Sequence, residues 1–109
     1  MQVAIIGSRT LQVNNLEDYL PKGVTAIISG GAKGIDQCAA KYAKEHGIKL
    51  IEYYPDYARY GRSAPLQRNK RIVEVCDMVL AFWDKSSKGT KFTIDYATKM
   101  GKRVCLIDM

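Results

Sequence analysis

Five short, strand-like runs recur along the chain, at residues 3–6, 24–28, 48–54, 78–83 and 103–107, and the spacing leaves room for one crossover between each pair. The first (Val3-Ala4-Ile5-Ile6) and fourth (Met78 to Trp83) are apolar throughout, without the polar alternation of a half-exposed strand. A strand that is apolar on both sides must be covered on both faces, the condition of a parallel sheet carrying helices above and below. The segments between the runs read as those helices. One is expected at residues 15–20, capped by Asn14 or Asn15 and stopped by Pro21-Lys22-Gly23. A second runs over residues 35–46, where Ile35, Ala39, Tyr42 and Ala43 share a stripe and Gly47 closes the last turn. A third starts at Pro65 and places Leu66, Asn69, Val73 and Cys76 on one face. A fourth begins with Thr90 as cap and ends at Met100-Gly101. Residues 56–64, with Tyr57, Arg59, Tyr60 and Arg62, show no period and read as an irregular loop. Alternating strands and helices over 109 residues define one α/β domain with a five-stranded, mainly parallel sheet.

Ligands of such sheets bind beyond the carboxyl ends of the strands. Three of the loops that leave that edge are rich in glycine and hydroxyls: Gly7-Ser8-Arg9, Ser29-Gly30-Gly31-Ala32-Lys33-Gly34-Ile35-Asp36, and Ser86-Ser87-Lys88-Gly89-Thr90. A glycine turn that opens a helix leaves backbone N–H groups unpaired at the positive end of the helix dipole, and so makes a seat for an anion such as a phosphate. Gly30, Gly31 and Gly34 are expected to keep side chains off a ligand, and Lys33 adds a positive charge. A bland alternative exists for each: Gly-Gly can simply end a strand and Gly34 can simply let a helix pack. Neither the dinucleotide G-x-G-x-x-G nor the P-loop G-K-[ST] spacing is present.

Seventeen basic against eleven acidic residues give a net charge of +6, which favours anionic partners without choosing between a nucleotide and nucleic acid. No run approaches the ~20 apolar residues of a membrane span, and the N-terminus lacks a charged leader, so neither membrane nor signal peptide is expected. Cys38, Cys76 and Cys105 lie among apolar residues and read as small core side chains in a reducing cytoplasm. His46 reads as a helix end, and no metal site is expected.

In this order the loops resemble the SLOG superfamily, which unites Smf/DprA DNA-processing proteins, LOG ("lonely guy") phosphoribohydrolases and small YpsA-related proteins. The likeness rests on Gly7-Ser8-Arg9, on Ser29 to Asp36, on Arg68-Asn69-Lys70-Arg71-Ile72 ending in Asp77, and on Ser87-Lys88-Gly89-Thr90. It is nearest to the small stand-alone YpsA-related members. The resemblance implies a Rossmann-like three-layer fold with strand order 3-2-1-4-5 and a nucleotide or nucleoside-phosphate pocket at the glycine loops. Binding or sensing of such a ligand, as the only cofactor-like group, is the first expectation. The alternatives are LOG-type cleavage of an N-glycosidic bond and DprA-like binding of single-stranded DNA. Similar arginines belong to LOG active sites, which makes Arg68 the candidate catalytic residue. The LOG glutamate of Gly-Thr-x-x-Glu, however, is Thr93 here, and Asp95 falls ~200° away around a helix and should face elsewhere. Small members often pair, so a homo-oligomer is a further expectation.

The residues themselves support several roles. Arg68 lies in a first helical turn, where a cation opposes the dipole unless an anion sits before it. Asn69 is a loop tether or a ligand contact. Arg9 is suited to grip a phosphate bidentately, and Ser8, Ser29, Ser87 and Thr90 offer hydroxyls that also suit caps and turns. Asp36 reads as a capping carboxylate, with a ribose hydroxyl as the other partner. Trp83 is a base-stacking candidate or a core residue. Tyr53, Tyr54, Tyr57 and Tyr60, with Arg59 and Arg62, suit a base, a dimer surface or plain packing.

Overall fold

The computed structural model describes residues 1–108. Its elements run β1 (Gln2–Gly7), a 3-10 turn (Leu16–Asp18), β2 (Ala26–Ser29), α1 (Ile35–Glu45), β3 (Lys49–Glu52), α2 (Tyr57–Tyr60), a second 3-10 turn (Gly61–Ser63), α3 (Ala64–Val75), β4 (Met78–Trp83), α4 (Lys88–Lys99) and β5 (Arg103–Asp108). The strands form one sheet in the order β3-β2-β1-β4-β5. Every pairing is parallel, with Val3 beside Ile27 and Met78, and Leu80 beside Cys105. This is the three-layer Rossmann-like architecture, and its strand order reverses between β1 and β4.

Side chains alternate across the pleat, so each apolar strand feeds two cores. Val3, Ile5, Ile27, Leu80 and Phe82 face α1, where Ile35, Ala39 and Ala43 meet them. Ala4, Ile6, Ile28, Val79 and Ala81 face α3 and α4 through Ile72, Val73, Cys76 and Ala97. On the first face a single helix cannot cover five strands. The long connection from β1 to β2 completes the cover with Leu11, Val13, Leu16, Tyr19 and Leu20. Tyr19 sets its ring edge-on to Phe82 at 5.3 Å. The helix expected at residues 15–20 is therefore one 3-10 turn, because the segment is spent laying apolar side chains on the sheet.

Other boundaries differ for local reasons. The cap of α4 is Ser87, whose hydroxyl accepts the Thr90 N–H at 3.3 Å; Thr90 lies inside the helix. Residues 56–64 are not irregular: Asp56 caps the single turn of α2, and a 3-10 turn leads into α3. Leu66, expected on the inward stripe of α3, is exposed, while Val73 and Cys76 are buried. Cys76 is the one fully buried cysteine; Cys38 and Cys105 are half-buried. Among the described residues no helix is long and apolar enough to cross a membrane.

Candidate functional site

Because all five strands are parallel, the loops after β1, β2 and β4 leave the sheet at the same edge. There they enclose a cavity of about 120 Å³. Gly7 and Arg9 line it from the first loop, Gly30, Ala32 and Asp36 from the second, and Ser87, Gly89, Thr90 and Thr93 from the β4–α4 side. Helix α3 closes the remaining side with Pro65, Leu66, Arg68, Asn69 and Ile72. Nine residues expected at the site from sequence thus meet in one place: Gly7, Arg9, Gly30, Asp36, Arg68, Asn69, Ser87, Gly89 and Thr90.

The others expected there lie outside its wall. Ser8 is buried and clamps two loops together: its N–H donates to the Phe82 carbonyl and its hydroxyl accepts the Asp84 N–H. Ser29 is buried, and its hydroxyl accepts the Gly31 N–H at 3.4 Å. Lys33 points into solvent. Trp83 donates its indole N–H to the Ser87 carbonyl at 3.0 Å, bracing the start of α4.

The glycines of the second loop admit parts of the protein itself. A Cβ on Gly30 would stand 2.6 Å from Arg68 Nη1, one on Gly31 2.5 Å from Tyr54 Cε1, and one on Gly34 would collide with the Arg9 carbonyl. Arg68 reaches over Gly30 and donates to its carbonyl at 2.6 Å and to that of Tyr53 at 3.3 Å, while Nε donates to Asn69 Oδ1 at 2.8 Å. The tether foreseen for Asn69 is thus made through its neighbour: Arg68 pins the loop from within the cavity wall, and Asn69 orients it. Asp36 turns back on the same loop and accepts the Ala32 N–H at 3.0 Å. This carboxylate is only 8% exposed, and burial pushes its pKa above the usual carboxylate value despite that amide and the nearby Arg68 charge. Burial likewise lowers the pKa of Arg68, against the pull of Asp36.

The start of α4 is built differently. Asp84 accepts the N–H groups of Ser86 and Ser87, both at 2.9 Å, and these bonds hold its carboxyl well below the usual range. The turn is thereby fixed from beneath. The N–H groups of Lys88 and Gly89 meet no acceptor among the described residues, and a Cβ on Gly89 would meet nothing within 4 Å. Thr93, one turn on, lines the cavity and donates its hydroxyl to the Gly89 carbonyl at 2.9 Å. The position that the LOG likeness aligns with a glutamate thus lies in the cavity wall, held here by Thr93. Asp95 is turned away, paired with Lys91 at 2.7 Å on the outer face. Among the described residues no group of three or more His, Cys, Asp or Glu side chains could hold a metal ion.

A parallel Rossmann-like domain with a polar cavity at its switch point defines the class of protein. Residues 1–60 match the family described as the YspA, cpYpsA-related SLOG family, and the chain belongs to it. The match spans β1 to α2, and so covers the first two loops of the cavity but neither Arg68 nor the start of α4. No curated protein and no solved structure matches the chain.

Proposed function

We propose that the cavity binds a nucleotide or nucleoside phosphate, with the phosphate at the start of α4 facing Arg9 and Arg68. The observation that carries this reading is the start of α4, where the N–H groups of Lys88 and Gly89 meet no acceptor among the described residues and Gly89 lines a wall that also holds two arginines. A helix of twelve residues adds its dipole to those donors. Asp36 is the only carboxylate in the wall. A phosphate is repelled from it, whereas a sugar hydroxyl can donate to it, so the polarity of the cavity suits a molecule with both groups.

Calorimetric titration with AMP, GMP and a single-stranded oligonucleotide at two salt concentrations tests this. Saturable mononucleotide binding that changes little with salt, and that is lost in Gly89→Val, is the expected result. Oligonucleotide binding that falls steeply with salt, with no mononucleotide binding, would replace the reading with a DNA-binding one.

The buried carboxylate also favours a second reading. N-glycoside cleavage passes through an oxocarbenium-like state and needs a negative charge near the sugar. Thr93 cannot supply one; Asp36 can. Release of free adenine from AMP, abolished in Asp36→Asn, is the outcome this reading requires. An intact AMP pool after prolonged incubation with binding-competent protein would leave a binding domain.

A further inference from the structure

The tyrosines after β3 remain unexplained by the packing. Only Tyr53 joins a core. Tyr54 is 64% and Tyr57 60% exposed, unusual for two rings of this size three residues apart. Tyr54 is nonetheless held in place: its hydroxyl donates to Glu52 at 2.8 Å, and its ring edge rests on Gly31, where any side chain would displace it. Gly31 lies between Gly30 and Ala32, both of which line the cavity. Tyr57 lies near enough to Arg68 to act on its charge. Tyr60 is already partnered, with the Arg59 guanidinium 5.1 Å from its ring centre.

The cavity itself is too small for a whole nucleotide: pockets that enclose small molecules run to roughly 300–1,000 Å³, against about 120 Å³ here. Resting on the nucleotide reading above, we infer that the cavity takes only the sugar-phosphate portion and that the ligand's base lies outside it, stacked on Tyr54 and Tyr57. Aromatic faces suit a flat base whatever its hydrogen-bonding edge, so the shelf contributes affinity with little choice among bases. A second copy of this chain is a poorer occupant. A two-fold contact through this patch would bring the Arg59 and Arg62 charges of both copies into one interface, on a chain of net charge +6.

The test compares AMP with ribose 5-phosphate, which lacks the base, on the full chain and on Tyr54→Ala, Tyr57→Ala and Tyr54→Phe, each shown by circular dichroism to melt like the parent. AMP should weaken about ten-fold or more in each alanine variant, stay within about two-fold in Tyr54→Phe, and ribose 5-phosphate should be unaffected throughout. Unchanged AMP affinity in both alanine variants, or equal weakening of the two ligands, overturns the shelf while leaving the phosphate seat standing. Failure of the parent chain to bind either ligand removes the seat and the shelf together. Self-association of the parent in sedimentation, abolished by Tyr57→Ala, would assign the rings to a second copy and also overturn the inference.

Discussion

Two glycine-bearing turns of this molecule look alike as strings of residues and behave differently as structures. The turn before α1 is closed on itself. Ser29 and Asp36 take the Gly31 and Ala32 N–H groups, Arg68 takes a carbonyl, and Arg68, Tyr54 and the Arg9 carbonyl fill the space its glycines leave. The turn before α4 is braced from behind by Asp84 and Trp83 and left open in front, with free donors at Lys88 and Gly89. A glycine loop at a helix start is therefore either a joint or a seat, and what separates them is whether the protein's own groups already fill the space in front of the glycines. Here the first is the joint that assembles the wall, and the second is the seat.

The largest effect expected from breaking that distinction is at Gly34. Its φ of +73° is strained for any other residue, and a side chain would strike the Arg9 carbonyl and stand 2.7 Å from that of Ser8. Gly34→Val should cost about 3 kcal/mol or more, from left-handed strain together with a backbone clash that no rotamer relieves. Chemical denaturation measures this directly, and a variant as stable as the parent would show that the joint is not built as described.

Arg68 ranks next, because it serves both the joint and the cavity. Arg68→Ala removes the bonds to the Gly30 and Tyr53 carbonyls and should cost about 2 kcal/mol, as for hydrogen bonds made by a charged group. It should also weaken AMP. Arg68→Lys restores the charge without the fork that spans two carbonyls, so it should recover more binding than stability. Equal recovery of both in unfolding and titration experiments would mean that the two roles do not separate.

Much of this is legible in the sequence. The parallel sheet and the shared edge of the loops follow from apolar strands alternating with helices, the strand order was what the SLOG resemblance implied, and the outward turn of Asp95 follows from helical geometry. Which turn would be open was not legible. Ser29, Asp36 and Ser87 are all hydroxyls or carboxylates near glycines, and spacing alone does not say which amide each will accept; the loop path and χ angles decide that. Ser87 and Thr90 were equally good caps by type, and only the extended backbone at Ser87 makes it the cap. α2 is one turn long, too short for a period to register. Plain packing was a fair expectation for the tyrosines as a group, yet Tyr54 and Tyr57 face solvent, and α2, on which Tyr57 lies, buries none of its residues.

Gly89 tests the open turn with a smaller change. It lies inside a helix with nothing within 4 Å of a Cβ, so Gly89→Ala should raise stability by about 0.5–1 kcal/mol, the usual gain of alanine over glycine. Gly89 also lines the cavity, so the added methyl should weaken AMP. Stability and affinity thus move in opposite directions here, whereas at Gly34 both fall. A Gly89→Ala protein that loses stability would place the residue in a joint after all.

The finest distinction lies in two carboxylates, one bonded to each turn, whose pKa values are shifted in opposite senses. Asp36 is raised, chiefly by burial, so the folded protein holds its proton more firmly than the unfolded chain does. Its contribution is most favourable below the unfolded value of about 3.8 and is lost as the pH climbs through the higher folded value. Asp84 is lowered by the amides of Ser86 and Ser87, so its contribution is present above the unfolded value and is lost as the pH falls towards the lower folded one. Relative to the parent, Asp36→Asn should therefore gain stability on going from acid to neutral pH, and Asp84→Asn should lose it over the acid range. Denaturation of the three proteins between pH 3 and 7 reads both slopes. Parallel profiles would mean that the two turns hold their carboxylates alike, and the contrast between joint and seat would lose its electrostatic support.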